Sequence, residues 1–156
     1  MDLKQAKQQV QDNLEKGDHC PCCGQFAKLY KRKLNSAMVA ALVLINKYFK
    51  ENPDAEWLHV ENYLKSLNIP AAVRGDFPKL RHWGLLEAKT GIREDGSKRV
   101  GLYKVTLRGQ AFLSGILKVP SRVHLYNQEV LGFSGKEIRV EKALGNKFRY
   151  SELMSA

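Results

Sequence analysis

Cys20-Pro21-Cys22-Cys23-Gly24 is where side chains able to do metal or redox chemistry crowd together in this chain. Two residues between Cys20 and Cys23 let both sulfurs reach one tetrahedral Zn²⁺, and Gly24 permits the tight turn that closes the loop. A closed structural zinc site takes four ligands. Those left to complete it are Cys22, which points away in a turn of this kind, and His19, His59, His82 and His124. A second copy of the chain would instead supply another Cys20 and Cys23. A redox-active dithiol, or a degenerate turn that holds no metal, accommodates the same residues. Zn²⁺ is thus the one cofactor suggested, with Cys20 and Cys23 as its ligands. Three cysteines within four positions cannot build a disulfide framework, which fits a reducing compartment.

Other reactive arrangements are missing. The four histidines have no Ser, Cys or carboxylate at a recognisable motif spacing, apart from His19 beside the cysteines. There is no Gly-x-x-x-x-Gly-Lys phosphate loop and no His-Glu-x-x-His pair. The expectation is a binding protein and not an enzyme.

Charge says what it would bind. The 26 basic and 16 acidic residues give a net charge of +10, and half of it falls on residues 70–109, which hold nine basic against four acidic groups. Such a concentration favours a polyanionic partner, with nucleic acid foremost. The candidate contacts are Arg74, Lys79, Arg81 and His82 in one stretch, Arg93, Lys98 and Arg99 in the next, and Lys31, Arg32 and Lys33 in an earlier basic arm.

These groups need elements to position them. Leu3, Ala6, Val10 and Leu14 fall at near-helical spacing within residues 2–16, a narrow stripe that packs on the body, pairs with a second copy as a short coiled coil, or frays. Phe26–Lys33 reads as a basic strand or arm. Asn35 or Ser36 caps the best helix, 37–50, whose apolar positions 38, 41, 42, 45, 48 and 49 are widened by Val43 and Leu44, so it is buried on more than one side. Trp57-Leu58-His59 reads as a short strand, and Val60, Tyr63, Leu64 and Leu67 as a helix broken by Asn68-Ile69-Pro70, with Pro70 opening the next helix. Gly75 and Pro78 interrupt the stretch that follows, leaving Asp76 to cap a last short helix, 77–83. That helix turns Phe77 and Leu80 inward and Lys79 and Arg81 outward, with Trp83 in the core. Two strand-like runs then flank Asp95-Gly96, a hairpin turn dipeptide. Tyr103, Val105 and Leu107 alternate on one face, and Thr106 caps a helix carrying Ala111, Phe112 and Ile116. Residues 122–133 read as a hairpin, 137–141 as a strand with Ile138 and Val140 on one face, and 143–154 as a turn-rich tail anchored by Phe148, Tyr150, Leu153 and Met154.

Trp83-Gly84-Leu85-Leu86-Glu87 resembles the end of a recognition helix entering the first wing strand of winged helix-turn-helix regulators. Tyr103-Lys-Val-Thr-Leu-Arg-Gly-Gln-Ala-Phe-Leu113 is similar to their Tyr-x-Leu-Thr-x-x-Gly-x-x-Phe-Leu ending, with Val105 in place of Leu. The Cys20–Gly24 turn resembles one knuckle of a zinc ribbon. Over nearly its whole length the chain also looks like small uncharacterised proteins of tailed bacteriophages, a resemblance that brings no activity with it. These likenesses imply a winged helix-turn-helix that sets the 77–83 helix at the major groove and Arg93, Lys98 and Arg99 against phosphates or the minor groove.

The expectation is therefore an α+β protein in three parts: a helix, Cys knuckle and basic arm at 1–33, a winged-helix core at 34–118, and a small β appendage at 119–156. Its expected role is regulatory binding of duplex DNA, and the alternative is a winged-helix interaction module that engages or inhibits a host complex. A homodimer is open. The longest apolar run, Ala37–Ile45, has nine residues, short of the roughly 20 that a membrane span needs. The start shows no signal-peptide pattern, so the bacterial host cytosol is the expected location.

Overall fold

The structure, a computed structural model, describes residues 1–90, 99–127, 129–146 and 148–154 and is mixed α+β. The chain forms two units: Met1–Lys33 with Arg122–Gly135, and Leu34–Ser121 with Lys136–Ala156. Residues 119–156 contribute to both.

In the first unit, α1 (Leu3–Asp12) opens on a reciprocal cap. The Asp2 carboxylate accepts the Gln5 amide at 2.8 Å, and the Gln5 side chain accepts the Asp2 amide at 3.0 Å. Ala6 and Val10 are buried, whereas Leu3 is exposed. The helix ends at Asp12, so Leu14 lies beyond it in the turn that leads to Gly17. Gly17 sits at φ +86°, and a Cβ there would run into the Phe26 ring. Strand β1 (Asp18–His19) pairs antiparallel with β2 (Phe26–Ala27), and the Cys turn joins them. The basic stretch is a strand, β3 (Tyr30–Lys33), exposed throughout and paired with residues 122–125 of β7 (Val119–Tyr126). β8 (Glu129–Ile138) completes the order β3-β7-β8.

The second unit is built around α2 (Ser36–Glu51). Asn35 caps it, accepting the Met38 amide at 2.9 Å. Every residue from Met38 to Ile45 is buried, as the breadth of its apolar face demands. It packs against α4 (Ala71–Arg74), the 3-10 helix Phe77–Trp83, α6 (Val140–Leu144) and α7 (Tyr150–Met154). Between these lie β4 (Leu58–His59), α3 (Val60–Ser66), β5 (Leu86–Thr90), β6 (Arg99–Val105) and α5 (Leu107–Leu113). β4 and β5 both pair antiparallel with β6, giving the order β4-β6-β5.

Four local expectations change. Pro70 is the N-cap and not the first residue of α4. Asp76 stands at the cap position of the 3-10 helix without capping it, because its carboxylate goes to Lys79 at 2.9 Å. Leu107 does not extend the strand face: Thr106 diverts the chain into α5, which leaves Leu107 at the first helical position and Ile116 past the helix end, both more than 80% exposed. The 137–141 strand stops at Ile138. Val140, Ala143 and Leu144 are buried at helical spacing, so one turn of helix satisfies them better than alternation does.

The Thr106-x-x-Gly109 sequence has a physical reason. The Thr106 hydroxyl accepts the Gly109 amide at 2.9 Å and donates to the Gly84 carbonyl at 2.6 Å. Gly109 lets α5 press on the strand entry, since a Cβ there would run into the Leu85 carbonyl oxygen. Among the described residues no helix is long and apolar enough to cross a membrane.

Candidate nucleic-acid interface

Phe77, Leu80 and Trp83 recur every third residue, which places them on one face of a helix with three residues per turn. All three are buried. The Trp83 indole N–H donates to the Pro120 carbonyl at 2.7 Å, which makes Trp83 a core anchor and not a stacking platform. Pro78 favours the tight geometry at the start, and Gly84 at φ +73° ends it by returning its amide to Arg81 and Leu80. The other two faces then carry Arg81 on one side and Lys79 with His82 on the other.

The four cations expected here differ in availability. Arg81 is exposed, and among the described residues it makes no ion pair. Lys79 is held by Asp76 at 2.9 Å. Arg74 donates from Nε to the Ile69 carbonyl at 2.9 Å and lies 3.7 Å from Glu61. Exposed pairs of this kind contribute about 0–1 kcal/mol, so a phosphate can displace Asp76 from Lys79, whereas Arg74 is also anchored to backbone. His82 is half-buried, and burial, then Arg81 and Lys79, push its pKa below the ordinary value. It is a neutral hydrogen-bonding group at pH 7, set in a positive field.

On the hairpin, Arg93 and Lys98 lie outside the described residues, and Arg99 opens β6 opposite Thr90. The structure adds a cluster that sequence reasoning did not pick out. Lys104 stands 4.7 Å and Lys89 5.9 Å over the Trp57 ring, and Lys104 also meets Glu87 across the strands at 3.6 Å. The signal was present in part, as Glu87 and Lys104 carry opposite charges at cross-strand positions. Arg108 is spent on structure: its Nε donates to the Trp83 carbonyl at 2.9 Å, closing the C-terminal end of the 3-10 helix.

Lys31, Arg32 and Lys33 belong to the first unit. The register sets Lys31 opposite His124 and Lys33 opposite Arg122, so two cations face one another across the ladder. Arg32 lies over the Tyr30 ring at 5.7 Å. Like charges at facing positions cost stability, and an anion bound between them would relieve that cost.

The Cys turn is fully described. Cys20 donates its amide to Gln25 and accepts the Gly24 amide, both at 2.8 Å, with Gly24 at φ +76°. The amides of Cys23 and Cys22 bond the Cys20 thiol and hold its pKa below the usual thiol value. Cys22 and Cys23 are exposed and Cys20 partly so. These are suitable surroundings for a thiolate that binds metal, and no third ligand joins it: among the described residues no three His, Cys, Asp or Glu side chains gather to hold an ion. No family model matches the chain, and neither does any curated protein or solved structure.

Proposed function

We propose that residues 34–121 form a winged helix-turn-helix that binds duplex DNA in a regulatory, non-catalytic role of the kind the winged-helix resemblance suggests. The observation that carries this reading is connectivity. Helix α2, strand β4, helices α3 and α4 with the 3-10 helix, then β5 and β6, follow in the order of that fold, and β4 pairs with β6, so the first strand lies beside the third. The 3-10 helix takes the recognition position, with Arg81 as its free cation and Lys79 releasable from Asp76. The β5–β6 hairpin takes the wing position, and Arg93, Lys98 and Arg99 supply its phosphate contacts. At seven residues the 3-10 helix reads few base edges, so phosphates dominate the affinity.

A salt titration of duplex binding tests this. Contact with about four phosphates gives a log–log slope near −3.6. Replacing Arg93, Lys98 and Arg99 together by Ala lowers the affinity and flattens the slope while Tm stays almost unchanged. Folded protein that fails to bind duplex at low salt overturns the reading.

One observation favours a protein partner as the second reading. An open groove of about 550 Å³ lies along Phe49, Leu107, Ala111, Ile116 and Tyr150, with Leu107 and Ile116 almost fully exposed. Apolar side chains so placed suit contact with another protein better than contact with phosphates.

A further inference from the structure

We propose that Cys20 and Cys23 hold a zinc ion shared between two copies of this chain, each copy supplying two thiolates. The turn holds Cys20 in place and keeps both thiols within reach of solvent. The paired β1 and β2 strands, the Gly24 turn and the Cys22 and Cys23 amides together fix Cys20, and Cys23 stands exposed beside it. Zinc in a structural site takes four ligands, and this chain brings two.

The remaining histidines are committed or apart. His59 accepts the Asn62 amide as the cap of α3 at 3.3 Å. His124 bonds the Ser134 hydroxyl at 2.7 Å. His82 lies within the 3-10 helix of the second unit, and His19 packs its ring edge-on against Phe26 at 5.3 Å. With every cysteine and histidine among the described residues and no third ligand at hand, the missing pair comes from outside the chain.

The first unit has the surface for a second copy. It draws on thirty-three N-terminal residues and fourteen from the β7–β8 hairpin, and it buries Ala6, Val10 and Val123. Meanwhile Phe26, Tyr30, Leu131 and Phe133 each leave 43–54% of their surface exposed. Assemblies this small with so few buried apolar groups are stabilised by metal or by association. Phe26 stands three residues from Cys23, so apposing two knuckles around one ion brings apolar surface together at the same place.

The test adds Zn²⁺ to the purified full-length chain, then removes excess metal and measures zinc content and mass in solution. One zinc per two chains, in a dimer that a chelator dissociates, is expected. Co²⁺ in place of Zn²⁺ gives the strong thiolate charge-transfer band and tetrahedral d–d bands of an all-sulfur site. Cys23→Ser abolishes both metal and dimer, while Cys22→Ser keeps both. The cobalt spectrum of the native chain carries the test if Cys23→Ser unfolds the first unit. One zinc per monomer, a folded protein that takes up no zinc, or a dimer indifferent to chelator each overturns the proposal.

Discussion

The two units differ in how they are held together. The second hides a helix with eight consecutive buried residues, Met38–Ile45, beneath helices and a sheet, and its joints are closed by specific bonds from Asn35, Trp83 and Thr106. The first has only two buried positions on α1 and one on β7, its β1–β2 pair is two residues long, and its aromatic side chains turn to solvent. The second is a folding core, and the first is the unit proposed above to meet a second copy. This assignment agrees with where charge and thiols gather: the second unit carries its cations on a rigid frame, and the first carries the Cys turn and the β3 cations at its exterior.

The largest expected effect breaks the comparison at its strong side. Leu44→Ala removes a fully buried side chain from α2 and is expected to cost about 2–5 kcal/mol, including the cavity left behind. Leu131→Ala, in the first unit and 54% exposed, shifts stability by about 0.5 kcal/mol or less. Urea midpoints at constant m-value check both. Equal losses would show that Leu131 is part of a core.

A pair of glycines sharpens it next. At Gly109 a Cβ would collide with the Leu85 carbonyl oxygen, and backbone cannot move aside cheaply. Gly109→Ala therefore costs about 1–3 kcal/mol despite improved helix propensity. At Gly132 a Cβ meets nothing within 4 Å, so Gly132→Ala is nearly silent. A smaller effect follows from the hydroxyl beside Gly109. Thr106→Ala loses the α5 cap and the bond to Gly84, about 1–2 kcal/mol, and Thr106→Ser restores most of it. Thermal denaturation ranks the four variants, and a ranking with Gly132→Ala worse than Gly109→Ala contradicts the packing described for α5.

Much of the second unit was legible in the sequence because strong local signals agree there. The α2 cap and apolar breadth, the Leu58–His59 strand, the break at Asn68, the inward Phe77 and Leu80, and the Thr106 cap all come from short-range chemistry. Misread positions lie where tertiary context chose between two periods. Val140 alternates acceptably with Ile138 and also fits Ala143 and Leu144 at helical spacing, and burial of the latter pair decided for helix. The three-residue period of Phe77, Leu80 and Trp83 fits a 3-10 helix, whereas propensity and capping signals alone specify only a short helix there. For the candidate interface, sequence named the cations but not their fates. That Arg74 and Lys79 are paired, Arg108 is structural and Lys89 and Lys104 gather over Trp57 depends on side-chain geometry that no spacing encodes. Arg93 and Lys98 lie outside the described residues.

The smallest expected effect concerns pH and is confined to the first unit. The Asp18 carboxylate accepts the Gln9 side chain at 3.0 Å, the His19 amide at 2.8 Å and the Asn13 side chain at 3.1 Å, so it ties α1 to the strand that leads into the Cys turn. These donors hold its pKa below the ordinary 3.8. A carboxyl depressed in the folded state binds fewer protons there than in the unfolded chain. Its contribution is fully present above the unfolded value and is lost as pH falls through the folded one. Asp18→Asn puts an amide donor against the Gln9 and Asn13 donors, removing the contribution at neutral pH as well. Hydrogen exchange across α1 and β1 should then be faster in the variant at neutral pH and converge with the native chain in strong acid, while exchange in α2 stays the same. If α2 is loosened equally, the two units unfold as one, and the contrast between them fails.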